Sequence, residues 1–440
     1  MSRSERPLVS GGGASPNEGA AASMQRVVVI ASLTRSLVNF RLELLAGMVA
    51  GGHEVTALAP DDDPQSIGAL SRAGIGFRRI AMARTGSNPI ADIATLASIH
   101  REIRRLAPDV VVAYTMKPII YGSLAARLAG VRKRYALFTG MGYVFSGDRN
   151  GPRATMLRWL SVALYRRALV GLTSAFAYNE ADAQDIRRHR MIDARTPLVM
   201  VPGSGVNLDQ FAAVPVPAGP AVFLLVARLL REKGIAEFAE AAKRLKRDFP
   251  DARFQVLGPF DPSPLGITRD ELDRWHADGS IEYLGETTDV APFLAAATVF
   301  VLPSTYREGI PRSALEALST GRAVVTTNAP GCRDTVVDGR NGFLVPPKDP
   351  AALADAMRAF LLDETLAGRM GAQSRRLAQE RFDVRIVADG LIRAFGLRSV
   401  AADRDERDGA HWAGAAPASI GGEAAGPAAA AWAGSAAATR

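Results

Sequence analysis

The chain alternates short apolar runs with longer amphipathic stretches almost throughout, and that rhythm leaves few folds open. Arg26-Val27-Val28-Val29-Ile30-Ala31-Ser32 shows no polar alternation, as a strand buried on both faces requires. A helical stretch follows over about 38–51, and the next apolar run is 52–58. Further strands are expected at 76–80, 109–114, 135–138 and 174–178, with helices between them. Parallel neighbours cannot be joined by a tight turn and need a crossover, usually helical, so a helix after each strand implies a parallel sheet.

The rhythm occurs twice. Strands are expected again at 221–227, 253–257, 281–284, 299–302, 323–326 and 343–345, followed by helices over 350–362, 365–381 and 384–395. Between the two series, 213–220 holds three prolines and one glycine and reads as a linker. A chain of 440 residues is long enough for two domains, each with its own core. The expected fold is α/β: two Rossmann-like domains over 24–212 and 221–380, with disordered Ser/Gly/Ala-rich ends at 1–23 and 401–440.

One strand-to-helix passage is rich in chemistry. The apolar run Val299-Phe300-Val301-Leu302-Pro303 leads into Ser304-Thr305-Tyr306-Arg307-Glu308-Gly309-Ile310-Pro311-Arg312, with Glu316 further on. Pro311 suits a first helical turn, where the N–H it lacks would be unpartnered anyway. Glu308 then lies in the loop at the strand's carboxyl end and Glu316 on the helix. Open α/β sheets bind their ligands beyond such ends. Amides around Gly309, Ile310 and Arg312 favour an anion there. Earlier, Arg228 and Lys233 follow another apolar run. Arginine grips two phosphate oxygens and lysine acts as a point charge; the plainer reading of the pair is exposed charge at a helix start.

These residues resemble the donor-site signature of retaining glycosyltransferases with two Rossmann-like domains, the GT-B architecture, whose sheets face a central cleft. Val226-Ala227-Arg228-Leu229-Leu230-Arg231-Glu232-Lys233-Gly234 looks like the phosphate-binding R-x4-K element of the family. Ile281-Glu282-Tyr283-Leu284-Gly285 and Asn341-Gly342-Phe343-Leu344-Val345-Pro346 stand where family-4 members carry similar runs. Leu37-Val38-Asn39-Phe40-Arg41, Tyr114-Thr115-Met116-Lys117-Pro118 and Gly140-Met141-Gly142-Tyr143-Val144-Phe145 resemble enzymes that extend lipid-linked, O-antigen or capsular glycans. The likeness is strong over about 220–363 and weaker over 25–150.

The resemblance implies catalytic roles for Glu308, Arg228 and Lys233. The two cations would hold the donor phosphates and offset the charge on the departing nucleotide diphosphate, so that no metal or other cofactor is needed. Glu308 would contact the donor sugar, with Gly309 and Ile310 offering backbone amides to sugar hydroxyls or phosphate and Pro311 beside them on the donor side. Glu316 would accept the ribose hydroxyls. The base would lie near Gly258, Leu284 and Gly285, beside the ordinary loop residues Glu286 and Thr287. The implied route is front-face displacement, with the β-phosphate helping to deprotonate the acceptor; no base is assigned. The last helix, over 381–400, would cross back to the first domain. Two departures stand out. Leu33-Thr34-Arg35-Ser36-Leu37-Val38-Asn39 replaces a glycine pair common in relatives, leaving Thr34, Ser36 or Asn39 to contact the donor. Tyr114 stands where relatives often have histidine, which leaves Lys117 and Tyr143 as acceptor-side candidates.

Charge is uneven: residues 24–210 hold 24 Lys and Arg against 14 Asp and Glu, whereas 211–440 hold 27 against 29. A basic first half suits an anionic partner. Arg153, Leu157, Arg158, Leu160, Leu164, Tyr165, Arg166, Arg167 and Leu169, with Trp159, suit a helix lying in a membrane interface, or a core helix with a basic outer face. Basic neighbours (Arg127, Arg132, Lys133, Arg134 and Arg149) turn the reading toward a membrane. No uninterrupted apolar stretch of the roughly 18 residues needed to span a bilayer occurs. The single cysteine, Cys332, excludes an intrachain disulfide and a cysteine-based zinc site.

The expected partners are therefore a UDP-sugar (an N-acetylhexosamine or hexose donor) and a polyprenyl-diphosphate-linked saccharide. The expected location is cytoplasmic, on the inner face of the membrane. A soluble acceptor and a non-catalytic nucleotide-sugar-binding subunit are the alternatives. A nucleotide-sugar epimerase shares the fold but not this carboxylate and histidine pattern. Nucleic acid is not expected, since neither zinc ligands nor an aromatic-rich RNA signature accompanies the basic half.

Overall fold

The computed structural model describes residues 23–83, 88–142, 145 and 151–397. The first sheet contains β1 (Arg26–Ile30), β2 (Glu54–Ala59), β3 (Gly76–Arg79), β4 (Val110–Tyr114), β5 (Lys133–Phe138), β6 (Ser174–Ala177) and β7 (Leu198–Met200). They run parallel in the order β3-β2-β1-β4-β5-β6-β7. The second sheet contains β8 (Val222–Val226), β9 (Arg253–Leu257), β10 (Glu282–Tyr283), β11 (Val299–Leu302), β12 (Ala323–Thr327) and β13 (Gly342–Val345). It is also parallel, in the order β10-β9-β8-β11-β12-β13. Each order reverses once, between β1 and β4 and between β8 and β11, and at those points the outgoing loops diverge and open a crevice.

The expected strands are all present, with ends shifted by up to two residues. Two local expectations need correction. The helix after β1 starts at Thr34, not near 38, because Thr34 is anchored at once: its amide donates to Asp61 Oδ1 (2.8 Å) and its hydroxyl to the Asp61 carbonyl (2.6 Å). Pro311 caps its helix from outside, with ψ of 121°, and the helix runs Arg312–Ser319. Residues 333–335 form a short turn, Arg333–Thr335, and the Asp334 carboxylate accepts the Gly331 amide (3.1 Å).

The segment between the sheets is tied down. Arg322 is completely buried and its Nη2 donates to the Val214 and Pro215 carbonyls (2.9 and 3.0 Å). Burial without a carboxylate pushes its guanidinium down to about 10. Further along, the helix Val384–Ala394 crosses back and packs on the helix Thr34–Ala50 of the first domain. Tyr135 on β5 donates its hydroxyl to the Phe395 carbonyl (2.9 Å), and the Tyr135 and Phe176 rings lie 4.8 and 5.3 Å from that of Phe395. One apolar cluster thus runs through both domains, joining Val27, Leu45 and Phe176 to Phe300, Leu315 and Phe395. The expectations for 1–22 and 398–440 lie outside the described residues.

Candidate active site

The crevice between β8 and β11 gathers the charged residues. After β8 the chain makes a tight turn, Arg231–Lys233, closed by Gly234 at φ 77°. A Cβ on Gly234 would lie 2.2 Å from the Pro303 carbonyl oxygen, so only glycine lets this turn press against the end of β11. The Glu232 carbonyl then accepts the amides of Thr305 (2.7 Å) and Tyr306 (3.1 Å). Those bonds fix the β11 loop, and Lys233 Nζ meets Glu308 Oε1 in an ion pair that is largely enclosed. Ser304 Oγ approaches the same carboxylate oxygen (3.4 Å), and the Lys233 ammonium stands 5.4 Å from the centre of the Tyr306 ring. Residues 75 apart in the chain are thereby joined.

Arg228 stands beside them, half exposed, with Nη1 donating to Asp261 Oδ2 (2.6 Å). Burial opposes ionisation of Asp261, but hydrogen bonds from Ser263 and the charge of Arg228 outweigh it and hold the carboxyl below its usual range. Glu316 is paired within its own helix: Arg312 Nε donates to Oε1 (3.0 Å), while Arg312 Nη1 reaches the Gly205 carbonyl (3.0 Å). Burial raises the Glu316 pKa, and the Arg312 charge only partly offsets it. Ile310 is buried against the first domain, where a Cβ on Gly203 would come within 3.1 Å of it.

At the ends of β9 and β10, Gly258 takes φ 149°, and a Cβ there would strike the Ala227 oxygen at 1.9 Å. Its amide donates to the Gly285 carbonyl (2.8 Å), its carbonyl accepts the Tyr283 hydroxyl (2.9 Å), and the Leu284 amide donates to Val256 (2.9 Å). These bonds tie the ends of β9 and β10 together where the base is expected, and the Gly258 amide is already engaged by the Gly285 carbonyl.

The first-domain expectations fare unevenly. Thr34 is bound to Asp61 as described, and Ser36 to the Leu33 carbonyl (2.6 Å) and the Tyr114 hydroxyl (2.9 Å), so both serve the domain's own packing. Asn39 is exposed on the helix Thr34–Ala50, next to Phe40, whose ring lies 6.0 Å from the Arg312 guanidinium. Lys117 is already paired with Asp92 (2.9 Å), which leaves less free charge for an acceptor phosphate than expected. Tyr143 lies outside the described residues.

Several residues carry no local sequence signal. Thr115, at the end of β4, holds φ 68°, a strained conformation for a β-branched residue, and its hydroxyl donates to Ser32 at the β1 end (3.1 Å). That strain marks the first sheet's own reversal point. Arg307, directly before Glu308, reaches across to Asp182 and Asp185 of the first domain. Asn179 also crosses, its Nδ2 donating to the carbonyls of Glu308 and Gly309 (both 3.0 Å). A cavity of about 500 Å³ opens alongside, walled by Asp185, Glu232, Arg307 and Asn328 among others. Among the described residues, no three His, Cys, Asp or Glu side chains gather as a metal site.

Two family models match this chain: "Glycosyl transferase 4-like domain" over residues 38–203 and "Glycosyl transferases group 1" over 220–363. Together they cover well over half of it. The chain belongs to the family-4-like glycosyltransferases. A Campylobacter jejuni relative, N,N'-diacetylbacillosaminyl-diphospho-undecaprenol alpha-1,3-N-acetylgalactosaminyltransferase, is 24% identical to this transferase, covering 84% of the chain and 98% of its own length. An Escherichia coli UDP-Gal:alpha-D-GlcNAc-diphosphoundecaprenol alpha-1,3-galactosyltransferase is 27% identical over 63% of the chain and 72% of its own length. Among solved structures, the sucrose-phosphate synthase of Thermosynechococcus elongatus superposes with a TM-score of 0.69 at 20% identity, covering 84% of this chain and 98% of that one. Anabaena HepE in complex with UDP gives 0.64 at 17%, covering 85% and 100%. The fold of the transferase is therefore GT-B, and its activity is that of a hexosyltransferase.

Proposed function

We propose that the transferase moves an N-acetylhexosamine or hexose from a UDP-sugar, with retention, onto a polyprenyl-diphosphate-linked saccharide in cell-surface polysaccharide synthesis. The observation that carries this reading is the convergence of Arg228, Lys233 and Glu308 at the reversal point of the second sheet. A diphosphate placed there meets Arg228 and Lys233 and draws Lys233 from Glu308, which frees that carboxylate for the sugar. Glu316, held by Arg312, faces the ribose. The bond from the anomeric carbon to the β-phosphate oxygen breaks as the bond to the acceptor oxygen forms on the same face. The acceptor's proton passes to the departing phosphate. Fixed cations that neutralise developing charge make a metal unnecessary in this scheme. The names of the two bacterial relatives support an undecaprenol-diphosphate acceptor, and the UDP complex of a structural neighbour supports uridine.

A lipid-linked acceptor calls for work at a membrane surface, on its cytoplasmic face. No helix among the described residues is long and apolar enough to cross a membrane. The helix Pro152–Ala168 exposes Met156, Trp159 and Leu160 near a basic end at Arg166 and Arg167, which supports peripheral docking.

The test is donor turnover. Purified protein is mixed with UDP- and GDP-sugars, with and without lipid-linked acceptor, and free nucleotide diphosphate is followed. Acceptor-dependent release from one donor is expected, unaffected by chelator and lowered at least about a hundredfold in Glu308→Ala. Release with a soluble sugar acceptor alone overturns the lipid assignment. Tight UDP binding with no turnover on any acceptor overturns the enzyme in favour of a binding subunit.

A further inference from the structure

Arg307 belongs to the second domain, yet the groups its two Nη atoms bond lie in the first. Nη2 pairs with Asp182 Oδ1 (3.0 Å); Nη1 pairs with Asp185 Oδ2 (2.5 Å) and donates to the Phe145 carbonyl (3.1 Å). Asp182 is 0% exposed, so without this cation it would be a buried charge lacking its counter-ion. Asn179 completes the contact. Its Oδ1 accepts the Asp182 amide (2.9 Å), and its Nδ2 donates to Asp182 Oδ2 and to the carbonyls of Glu308 and Gly309 (3.0 Å each). Both carbonyls belong to the loop that carries the Glu308 side chain to Lys233.

The backbones are pressed together as closely as glycine permits. A Cβ on Gly309 would lie 2.4 Å from the Thr139 oxygen of the first domain, and one on Gly140 would lie 2.7 Å from the Gly309 nitrogen. From the other side, a Cβ on Gly331 would meet the Gly309 and Glu308 oxygens at 2.4 and 2.6 Å. The Glu308-Gly309 segment is thus held between first-domain backbone and its own domain. By contrast, the pairs Arg228–Asp261, Lys233–Glu308 and Arg312–Glu316 are each made within the second domain, although Arg312 Nη1 also donates to the Gly205 carbonyl of the first.

We propose that Asn179, Asp182 and Arg307 form an interdomain latch that sets the Glu308-Gly309 loop in its sugar-binding geometry only when the domains are closed, and that they are positioning residues for transfer. The proposal rests on the transferase reading above. Domains within one chain commonly move against each other. When these two part, Arg307 loses both carboxylates and Asn179 leaves both carbonyls, so the loop is released while the Arg228–Asp261 and Arg312–Glu316 pairs, made within the second domain, remain. Closure around an acceptor then completes the site, and an open molecule holding a nucleotide-sugar is poorly arranged to lose the sugar to water.

The test separates nucleotide binding from turnover in Asn179→Ala, Arg307→Gln and the double variant. A fall in kcat of about 10- to 100-fold is expected, the scale of a misplacement of about 1 Å. UDP affinity, read by calorimetry, should stay within about threefold, since this is less than the tenfold that separates 1.4 kcal/mol. The double variant should fall no further than the worse single, because either change opens the same latch. Arg307→Gln leaves Asp182 unpaired and is liable to misfold, so Arg307→Gln with Asp182→Asn serves as the folded control, with no lone buried charge. Hydrogen exchange at the amides of residues 308–310 is read on the same proteins and needs no turnover: faster exchange in Asn179→Ala supports the latch even if no sugar is transferred by any variant. Unchanged exchange, an unchanged kcat, or a UDP affinity that falls in parallel with kcat overturns it.

Discussion

Asp182 shows how much one residue can couple. Burial pushes its carboxyl up to about 6 against the pull of Arg307 and Asn179. Facing it are the Arg307 guanidinium from the donor loop and, from the helix Pro152–Ala168, the Tyr165 phenol, itself raised by burial and by the Asp182 charge. The folded pKa lies above the ordinary 3.8. Between about 4 and 6 the folded chain therefore holds a proton that the unfolded chain has lost, and Asp182's contribution to stability falls as pH rises through that window. The Arg307–Asp182 pair, in contrast, becomes fully ionic only above it. If the latch positions Glu308, the kcat profile should have an acidic limb near pH 6. Asp182→Asn and Arg307→Gln should each remove that limb, because neither variant can form the ion pair that it reports. A limb that stays in place in both variants would assign it to another group. The residues were unequally legible beforehand for a simple reason. Glu308, Arg228 and Lys233 each follow an apolar run, so a local pattern announces them. Arg307 finds Asp182 across 125 positions, and no local spacing joins the two. The same holds for Arg228 and Asp261, separated by 33.

At the scale of elements, the apolar runs are good guides because the inner strands of both sheets are buried between helix layers, so hydrophobicity and strand position coincide there, while the edge strands β3, β7 and β10 are more exposed. Boundaries shift where side chains compete with the backbone: Asp61 starts a helix early at Thr34, and Asp334 folds back on Gly331. The amphipathic stretch near 153–169 left two readings open, and the packing bears on them. In the helix Pro152–Ala168, Val162 and Tyr165 face the first domain's core, while Trp159 (71% exposed) and Met156 (67%) point away from it. On the helix Pro89–Leu106, Ile90 and Ile93 are exposed as well. A tryptophan anchored by nearby arginines is the composition of an interfacial helix. Cosedimentation with vesicles containing anionic lipid should therefore weaken in Trp159→Glu with Met156→Glu, while turnover on a detergent-dispersed acceptor is retained. Equal binding of the variant to vesicles would return this helix to an ordinary solvated surface.

At the scale of the molecule, the two domains are connected at several levels, and these differ in kind. The latch is polar and lies at the cleft. The crossing helix Val384–Ala394 meets the first domain through its apolar side, where Gly47 approaches the Ile392 side chain so closely that a Cβ would lie 2.9 Å from it. Apolar contacts hold through small displacements because they are not directional, whereas a hydrogen bond weakens steeply once bent. The back of the molecule is therefore suited to act as a hinge that stays packed while the front opens. Phe395 is the test of that division. It is fully buried between Tyr135 and Phe176 of the first domain, though it follows the second domain in sequence. Phe395→Ala should cost about 3–5 kcal/mol where it packs, seen as a lower melting temperature and as one thermal transition resolving into two. Each domain keeps its own sheet and outer core, so UDP affinity should survive at temperatures below the first transition. If the melt stays single and merely shifts, the two domains fold as one unit, and the cleft must open by bending within a domain rather than by turning about this helix.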